Sequence, residues 1–346
     1  MDLPPSAAAP ALPASSLPLA VRAHLTGLAA RQEPVSGYLY DPAVAAARAD
    51  ALRGALPDWA DICYAVKANA YPPVLAALAG HVDGFEVASA TEATLARDTH
   101  PDGLLVAAGP AKSDTLLRHL VQHDVDLINV ESLHELRRVD RIAAQLDRRV
   151  AVTLRVNPRR VAVAGALAMG GAATQFGIPE ADVPQVLDLA RGLSRVDVVG
   201  FHVHAVGNNL DAADHAAYLR WCLEFAQRTA ARHGTQLRVV DIGGGIGVSF
   251  GRGPSFDVDR FGELLADVRP PAGCRVVLEP GRFLVTGCGW YAAEVLDIKH
   301  AYGTDFVVLR GGINHFALPV SWDIVHPFAV LAIEQWPYDW PRPQIC

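Results

Sequence analysis

The sequence predicts a closed (β/α)8 barrel of the TIM type followed by an incomplete antiparallel β domain. Short apolar runs recur eight times, near residues 62–66, 84–88, 104–108, 126–130, 150–156, 197–204, 237–242 and 275–279. Helical stretches lie between most of them, at 72–79, 90–97, 113–122, 132–146, 180–192, 212–233 and 257–267. Strand alternating with helix is the pattern of a parallel sheet, and eight such strands favour a closed barrel over an open doubly wound sheet. After Arg282 the periodicity changes to alternation, through Tyr291–Ile298 and Phe306–Arg310, with no amphipathic helix.

Residues 1–18 are rich in Pro, Ala and Ser and lack the basic start and apolar centre of a signal peptide, so they read as a flexible arm. A helix over 19–34 carries Leu25, Leu28 and Ala29 at helical spacing. Gly37–Tyr40 is a short strand, and Asp41-Pro42 supplies an N-cap and first-turn proline for a helix to about Leu56. The 62–66 strand then delivers Lys67. Residues 319–346 read as irregular surface structure, with Trp336-Pro337 and Trp340-Pro341. This gives an arm and helix over 1–35, a barrel over 36–284 and a C-terminal β domain over 285–346.

With 51% hydrophobic and 19% charged residues, a sizeable core is available and global disorder is excluded. A net charge of −7 argues against a nucleic-acid surface. No run reaches 18 uninterrupted apolar residues, so no membrane span is expected. Cys63, Cys222, Cys274, Cys288 and Cys346 are odd in number and none lie at metal-ligand spacing, which points to a reduced, cytoplasmic protein without disulfides.

The barrel reading places function at the C-terminal ends of the strands. Lys67 stands there. Desolvation at the mouth of a buried strand lowers the pKa of an ammonium and suits the amine to Schiff-base chemistry; the competing reading is a snorkelling lysine. Asp241–Gly247 follows an apolar strand, and its glycines let backbone N–H groups approach an anion, as in a phosphate cradle, where the plain alternative is a tight turn. His202 and His204 share one face of their strand. They read as a platform for a flat ligand, as core histidines, or last as a metal pair, because no acidic third ligand lies at zinc spacing. Glu279-Pro280-Gly281-Arg282 offers a carboxylate for a protonated ring nitrogen or a metal and an arginine for phosphate, against a Pro-Gly turn with a surface ion pair. Arg155 and Glu86 are charges inside apolar strands, and Arg155 implies an anionic ligand or a carboxylate partner. Together the set supplies what pyridoxal phosphate needs: an amine, an anion cradle, a stacking face and an acid.

In order, Tyr64–Asn69, Phe85–Ser89, Arg155–Pro158, His202–Gly207, Gly243–Gly247, Glu279–Arg282 and Gly311–Pro319 resemble the fold-type III pyridoxal-phosphate decarboxylases. These include the ornithine, diaminopimelate and arginine enzymes and are related to alanine racemase. The resemblance covers residues 36 to 320. It implies pyridoxal 5'-phosphate as cofactor, with Lys67 carrying the internal aldimine, His204 stacking on the ring and Glu279 on the pyridine nitrogen. Gly244, Gly245 and Arg282 then hold the phosphate, and Glu86 and Arg155 belong to the same cofactor pocket. It also implies decarboxylation of an amino-acid-type substrate through a quinonoid, in a head-to-tail homodimer with shared active sites.

Two departures narrow the substrate. The diaminopimelate pattern His-x-His-Ile-Gly-Ser is replaced by His204-Ala205-Val206-Gly207-Asn208-Asn209, one residue longer before the glycine. The Asn-Asp-x-x-Arg-Pro segment is replaced by Asn314-His315-Phe316-Ala317-Leu318-Pro319, with leucine where the arginine that binds a distal carboxylate stands. Both resemble the branch that decarboxylates siderophore and secondary-metabolite intermediates. The family's Gly-Pro-x-Cys-x-x-x-Asp segment is expected about where Cys346 ends the sequence, which reads as a fragment or a degenerate member. The alternatives are a diamino-acid decarboxylase, a racemase of this fold, an inactive cofactor-binding fragment, and a barrel hydrolase using Glu86 and Glu279. The hydrolase leaves Lys67 and the glycine run unexplained.

Overall fold

The computed structural model describes residues 11–160, 167–168, 173–250, 253–317 and 327–333. Leu318, Pro319 and the stretch 334–346, with Trp336, Trp340 and Cys346, lie outside the described residues. Eight parallel strands form the barrel: β1 (Ala60–Ala65), β2 (Gly84–Val87), β3 (Leu104–Ala107), β4 (Leu127–Val130), β5 (Val150–Asn157), β6 (Val196–His202), β7 (Val239–Asp241) and β8 (Arg275–Leu278). Each pairs with the next, and β8 pairs back onto β1, which closes the sheet. All six residues of β1 are buried, as expected of a parallel strand covered on both faces.

Helices flanking these strands include α1 (Pro42–Ala55), α2 (Pro72–Leu78), α3 (Ala90–Thr99), α4 (Asp114–Gln122), α5 (Leu133–Gln145), α6 (Val183–Ala190), α7 (Ala212–His233) and α8 (Val258–Leu265). Helix α1 buries Ala45, Ala49 and Leu52 along one stripe. Burying a leucine of this kind contributes about 1.5–3 kcal/mol. Capping boxes fix where α3 and α5 begin. Ser89 Oγ accepts from Glu92 N while Glu92 Oε2 accepts from Ala88 N, and Ser132 and Glu135 do the same for Glu131 N. These caps sit just past β2 and β4, so they hold the strand ends where function is expected. The opposite end is tied by structure: Arg275 Nε donates to buried Asp61 at 2.9 Å.

The chain divides into two compact units. One, within 42–248 and 254–288, contains the barrel. The other is drawn from the described parts of 1–41, 249–253 and 289–346. Its strand Ser36–Tyr40 pairs antiparallel with Gly289–Ala293. Sequence order set this strand at the start of the barrel segment; its hydrogen-bonding partner lies some 250 residues away in the chain, which periodicity does not name. Tyr38, Tyr291 and Phe316 cluster beside it, with ring centres 5.1–6.5 Å apart. The alternating region forms the antiparallel hairpin Val295–Ala301 and Thr304–Leu309, as its pattern predicts. Within the N-terminal arm, Ala11–Leu12 pairs with Phe328–Ala329. Among the described residues, no helix is long and apolar enough to cross a membrane.

Candidate active site

Strand β1 ends at Ala65, and Val66–Ala68 make a single 3-10 turn that lifts Lys67 out of the sheet. Ala65 N donates to Pro280 O at 3.2 Å, which ties this turn to the loop after β8. The Lys67 side chain is 51% exposed, and its Nζ donates at 2.5 Å to Oε2 of Glu86, a buried residue of β2. Burial presses the Lys67 pKa down, but the charges of Glu86 and Glu279 outweigh it and the net shift is upward. This corrects the sequence expectation of a depressed amine. The two carboxylates come from β2 and β8, and only the closed barrel brings them to the ammonium. Burial pushes Glu86 up to about 7, with Lys67 pulling the other way.

Glu279, one residue past β8, is 2% exposed. Its Oε1 accepts from Asn129 Nδ2 at 3.2 Å. Its Oε2 has no hydrogen-bond partner and lies 3.6 Å from His202 Nε2 and 3.7 Å from His204 Nδ1. Asn129 Nδ2 also donates to Asp241 Oδ2 at 2.8 Å, while Asn129 Oδ1 accepts from Thr153 Oγ1. Asp241 Oδ1 in turn accepts from Gly243 N at 2.8 Å. Burial drives the Asp241 pKa well up, and the Glu279 charge adds to that. Burial acts on Glu279 as well, but His202, His204 and Lys67 hold it below the usual carboxylate range. The two buried carboxyls are thus shifted in opposite directions, Asp241 up and Glu279 down. Burial lowers the pKa of both His202 and His204.

The glycine run folds back against these groups. Gly243 and Gly245 have φ of +68° and +97°. A Cβ at Gly244 would stand 2.5 Å from Glu279 O, and one at Gly245 would stand 2.6 Å from Val206 O. Only glycine fits such an approach. Arg282 opens the short helix Arg282–Val285, and its Nη1 donates to Asn208 Oδ1 at 3.2 Å. Arg155, within β5, donates from Nη1 to Glu131 Oε1 at 2.7 Å, and its guanidinium lies 4.6 Å from the Phe176 ring centre. Gly177 N donates to Glu131 Oε2 at 3.0 Å. Arg155 thus has the carboxylate partner that its place in an apolar strand implied.

Residues 44–286 match the family model described as pyridoxal-dependent decarboxylase, pyridoxal binding domain. The chain is 34% identical, over 92% of its length and 80% of the other, to the 2-[(L-alanin-3-ylcarbamoyl)methyl]-2-hydroxybutanedioate decarboxylase of Staphylococcus aureus. It is 27% identical to the diaminopimelate decarboxylase of Aquifex aeolicus, over 84% of this chain and 69% of that one. The crystal structure of diaminopimelate decarboxylase from Helicobacter pylori complexed with L-lysine superposes with a TM-score of 0.72. At 24% identity, over 82% of this chain and 72% of that one, this last likeness concerns the fold.

The chain belongs to the pyridoxal-dependent decarboxylases. Pyridoxal phosphate is accordingly its cofactor, and the barrel its binding domain. The residues fit that group on two observations: a buried carboxylate oxygen with no partner at Glu279, and a reachable primary amine at Lys67 on the same barrel face.

Sequence reasoning passed over Asn129, Thr153, Glu131 and Asp241 as functional residues. Asn129 had a signal, a polar residue inside the apolar run Leu127–Val130. Asp241 had another, since it ends β7 two residues before the first glycine. Glu131 had none, because it acts by holding Arg155 from a neighbouring strand.

Proposed function

We propose that this barrel mouth decarboxylates an amino acid or amino-acid conjugate, with Lys67 as the residue that engages the cofactor. The observation that carries the reading is the convergence of Lys67, Glu86, Glu279 and the histidine pair on one face of the barrel. Pyridoxal phosphate, when bound, supplies the electron sink that accepts the pair released as carbon dioxide leaves. Glu279, ionised and fixed by Asn129, is suited to hold a proton on the ring nitrogen. His204 offers its imidazole face, and Gly244, Gly245 and Arg282 offer donors to the phosphate. Glu86, poised at about 7, can take a proton from Lys67 Nζ and return it. Arg155 is a supporting residue of the same pocket, held by Glu131.

The substrate is best sought among amino-acid conjugates of the siderophore type. The Staphylococcus relative, named for an alanine unit joined to a hydroxybutanedioate, supports a conjugate, and the Asn208-Asn209 loop supports the siderophore type. Diamino acids are the second reading, supported by the diaminopimelate relatives. A head-to-tail homodimer with shared sites and a cytoplasmic location complete the proposal; the buried thiols Cys63, Cys222 and Cys274, which form no disulfide among the described residues, support the latter.

The test is direct. Purified protein with added cofactor should show a visible absorption band, and borohydride should fix the cofactor on Lys67, read by peptide mass. Carbon dioxide release is then assayed from citryl-amino-acid conjugates and from diamino acids. A protein that stays colourless with added cofactor sinks the reading; release from diamino acids alone moves the substrate to the second one.

A further inference from the structure

His202, His204 and Glu279 present three ligand atoms within 4.8 Å of one another. Sequence spacing offered no acidic third ligand for the histidine pair; the closed barrel supplies one from β8. Glu279 Oε2 sits centrally, 3.6 Å from His202 Nε2 and 3.7 Å from His204 Nδ1. Those separations suit atoms that each bind one ion at about 2.0–2.2 Å in tetrahedral geometry. The atoms are also short of partners. Glu279 Oε2 and both ring nitrogens of His202 are buried with no hydrogen bond, a costly arrangement unless a ligand completes it.

The surrounding charges leave room for a cation. The nearby Lys67 ammonium is matched by Glu86, and the Arg155 guanidinium by Glu131. Glu279 is left without an ion-pair partner of fixed positive charge among the described residues. Two imidazole nitrogens and one carboxylate oxygen are a donor set for borderline divalent ions such as Zn2+ and Co2+, with water in the fourth position.

We infer that the cofactor-free chain binds one divalent transition-metal ion through His202, His204 and Glu279, in competition with pyridoxal phosphate. The metal site stands on the geometry above; the competition rests on the proposed cofactor roles of His204 and Glu279. The ion and the cofactor ring both require the Glu279 carboxylate, so each excludes the other.

The full chain, stripped of cofactor with hydroxylamine and of metal with a chelator, is titrated with Co2+. One equivalent should bind with the visible bands of a nitrogen-ligated site, and Zn2+ should bleach them. His202→Asn and His204→Asn should each weaken binding by about tenfold or more. Far-UV circular dichroism checks that both variants fold. His119→Asn, which alters the other close histidine pair, with ring centres 4.1 Å apart from His123, should leave binding unchanged. Cofactor loading should abolish the cobalt bands, and cofactor should displace bound Co2+. Absence of the bands overturns the inference, as does loss of binding in His119→Asn with retention in the folded His202→Asn and His204→Asn. Cobalt bands that persist in the cofactor-loaded protein overturn the competition. A chain that binds Co2+ at these residues yet never takes up cofactor upholds the metal site and sinks the proposed function instead.

Discussion

Lys67 Nζ meets Glu86 Oε2 at 2.5 Å, an ammonium half in water against a carboxylate wholly out of it. The pairing sets the proton inventory of the barrel mouth. Glu86 alone in that position would be driven neutral by burial, and Lys67 alone would be the weaker base. Together they hold the ammonium proton in a hydrogen bond already made.

Glu86→Gln should therefore shift the reactive, neutral form of Lys67 to lower pH, because the charge that raises its pKa is gone. The readout is the pH dependence of the rate at which the cofactor-free variant takes up added cofactor, compared with the parent protein. An unchanged or upward-shifted titration would break the assigned coupling. Lys67→Ala should cut turnover by about 100-fold or more. It should also remove borohydride fixation while leaving the fold intact, since Lys67 is not a core residue.

Gly244→Ala places a Cβ 2.5 Å from the Glu279 carbonyl, backbone against backbone, with no flexible end to move. Either the glycine turn or the loop after β8 must shift. The expected cost is about 1–3 kcal/mol in urea unfolding, with cofactor affinity reduced as well. Wild-type affinity in a folded Gly244→Ala protein would show that this turn does not shape the cofactor site.

Asn129 bridges the two acids through one amide, to Asp241 at 2.8 Å and Glu279 at 3.2 Å. Asn129→Leu strips a donor from both and leaves the Thr153 hydroxyl without its acceptor. Buried groups left this way cost about 2–5 kcal/mol in total. Denaturant unfolding measures it. A loss under about 0.5 kcal/mol would mean that the network is not coupled as drawn.

His215 is fully buried among Phe256 and Phe261, with ring centres 5.7 and 5.3 Å away, and neither ring nitrogen has a hydrogen bond. Burial lowers its pKa to about 4. In the unfolded chain histidine titrates near about 6.5, so between these values the unfolded state binds the extra proton. The stability present above about pH 6.5 is lost as pH falls toward about 4, by at most about 1.4 kcal/mol per pH unit from this residue. His215→Leu should flatten that decline in urea midpoints recorded from about pH 7 to about 5. A residual slope of the same sign is expected from His202, whose pKa is lowered too. An unaltered slope in a stable His215→Leu variant would refute the assignment.

The barrel was legible because its signals are local. Each apolar run is short, several helices start at a residue such as Ser89, Ser113 or Asp257 that caps them, and the alternation is visible without knowing what touches what. Lys67, His204, Glu279 and the glycines were legible for the same reason. A charged or conformationally permissive residue at the end of an apolar strand is an anomaly that the strand itself marks.

Their states were not legible. The sequence by itself determined the strand count and the residue types at the strand ends, because periodicity and strand ends are properties of neighbours along the chain. Only the tertiary structure decided that Arg155 answers Glu131, that Lys67 is raised and not lowered, and that the Asn129 amide donates to both Asp241 and Glu279. It also decided that the histidine pair acquires an acidic third member from β8. Each of these depends on electrostatic and hydrogen-bonding distance between different strands, and closure of the barrel sets those distances.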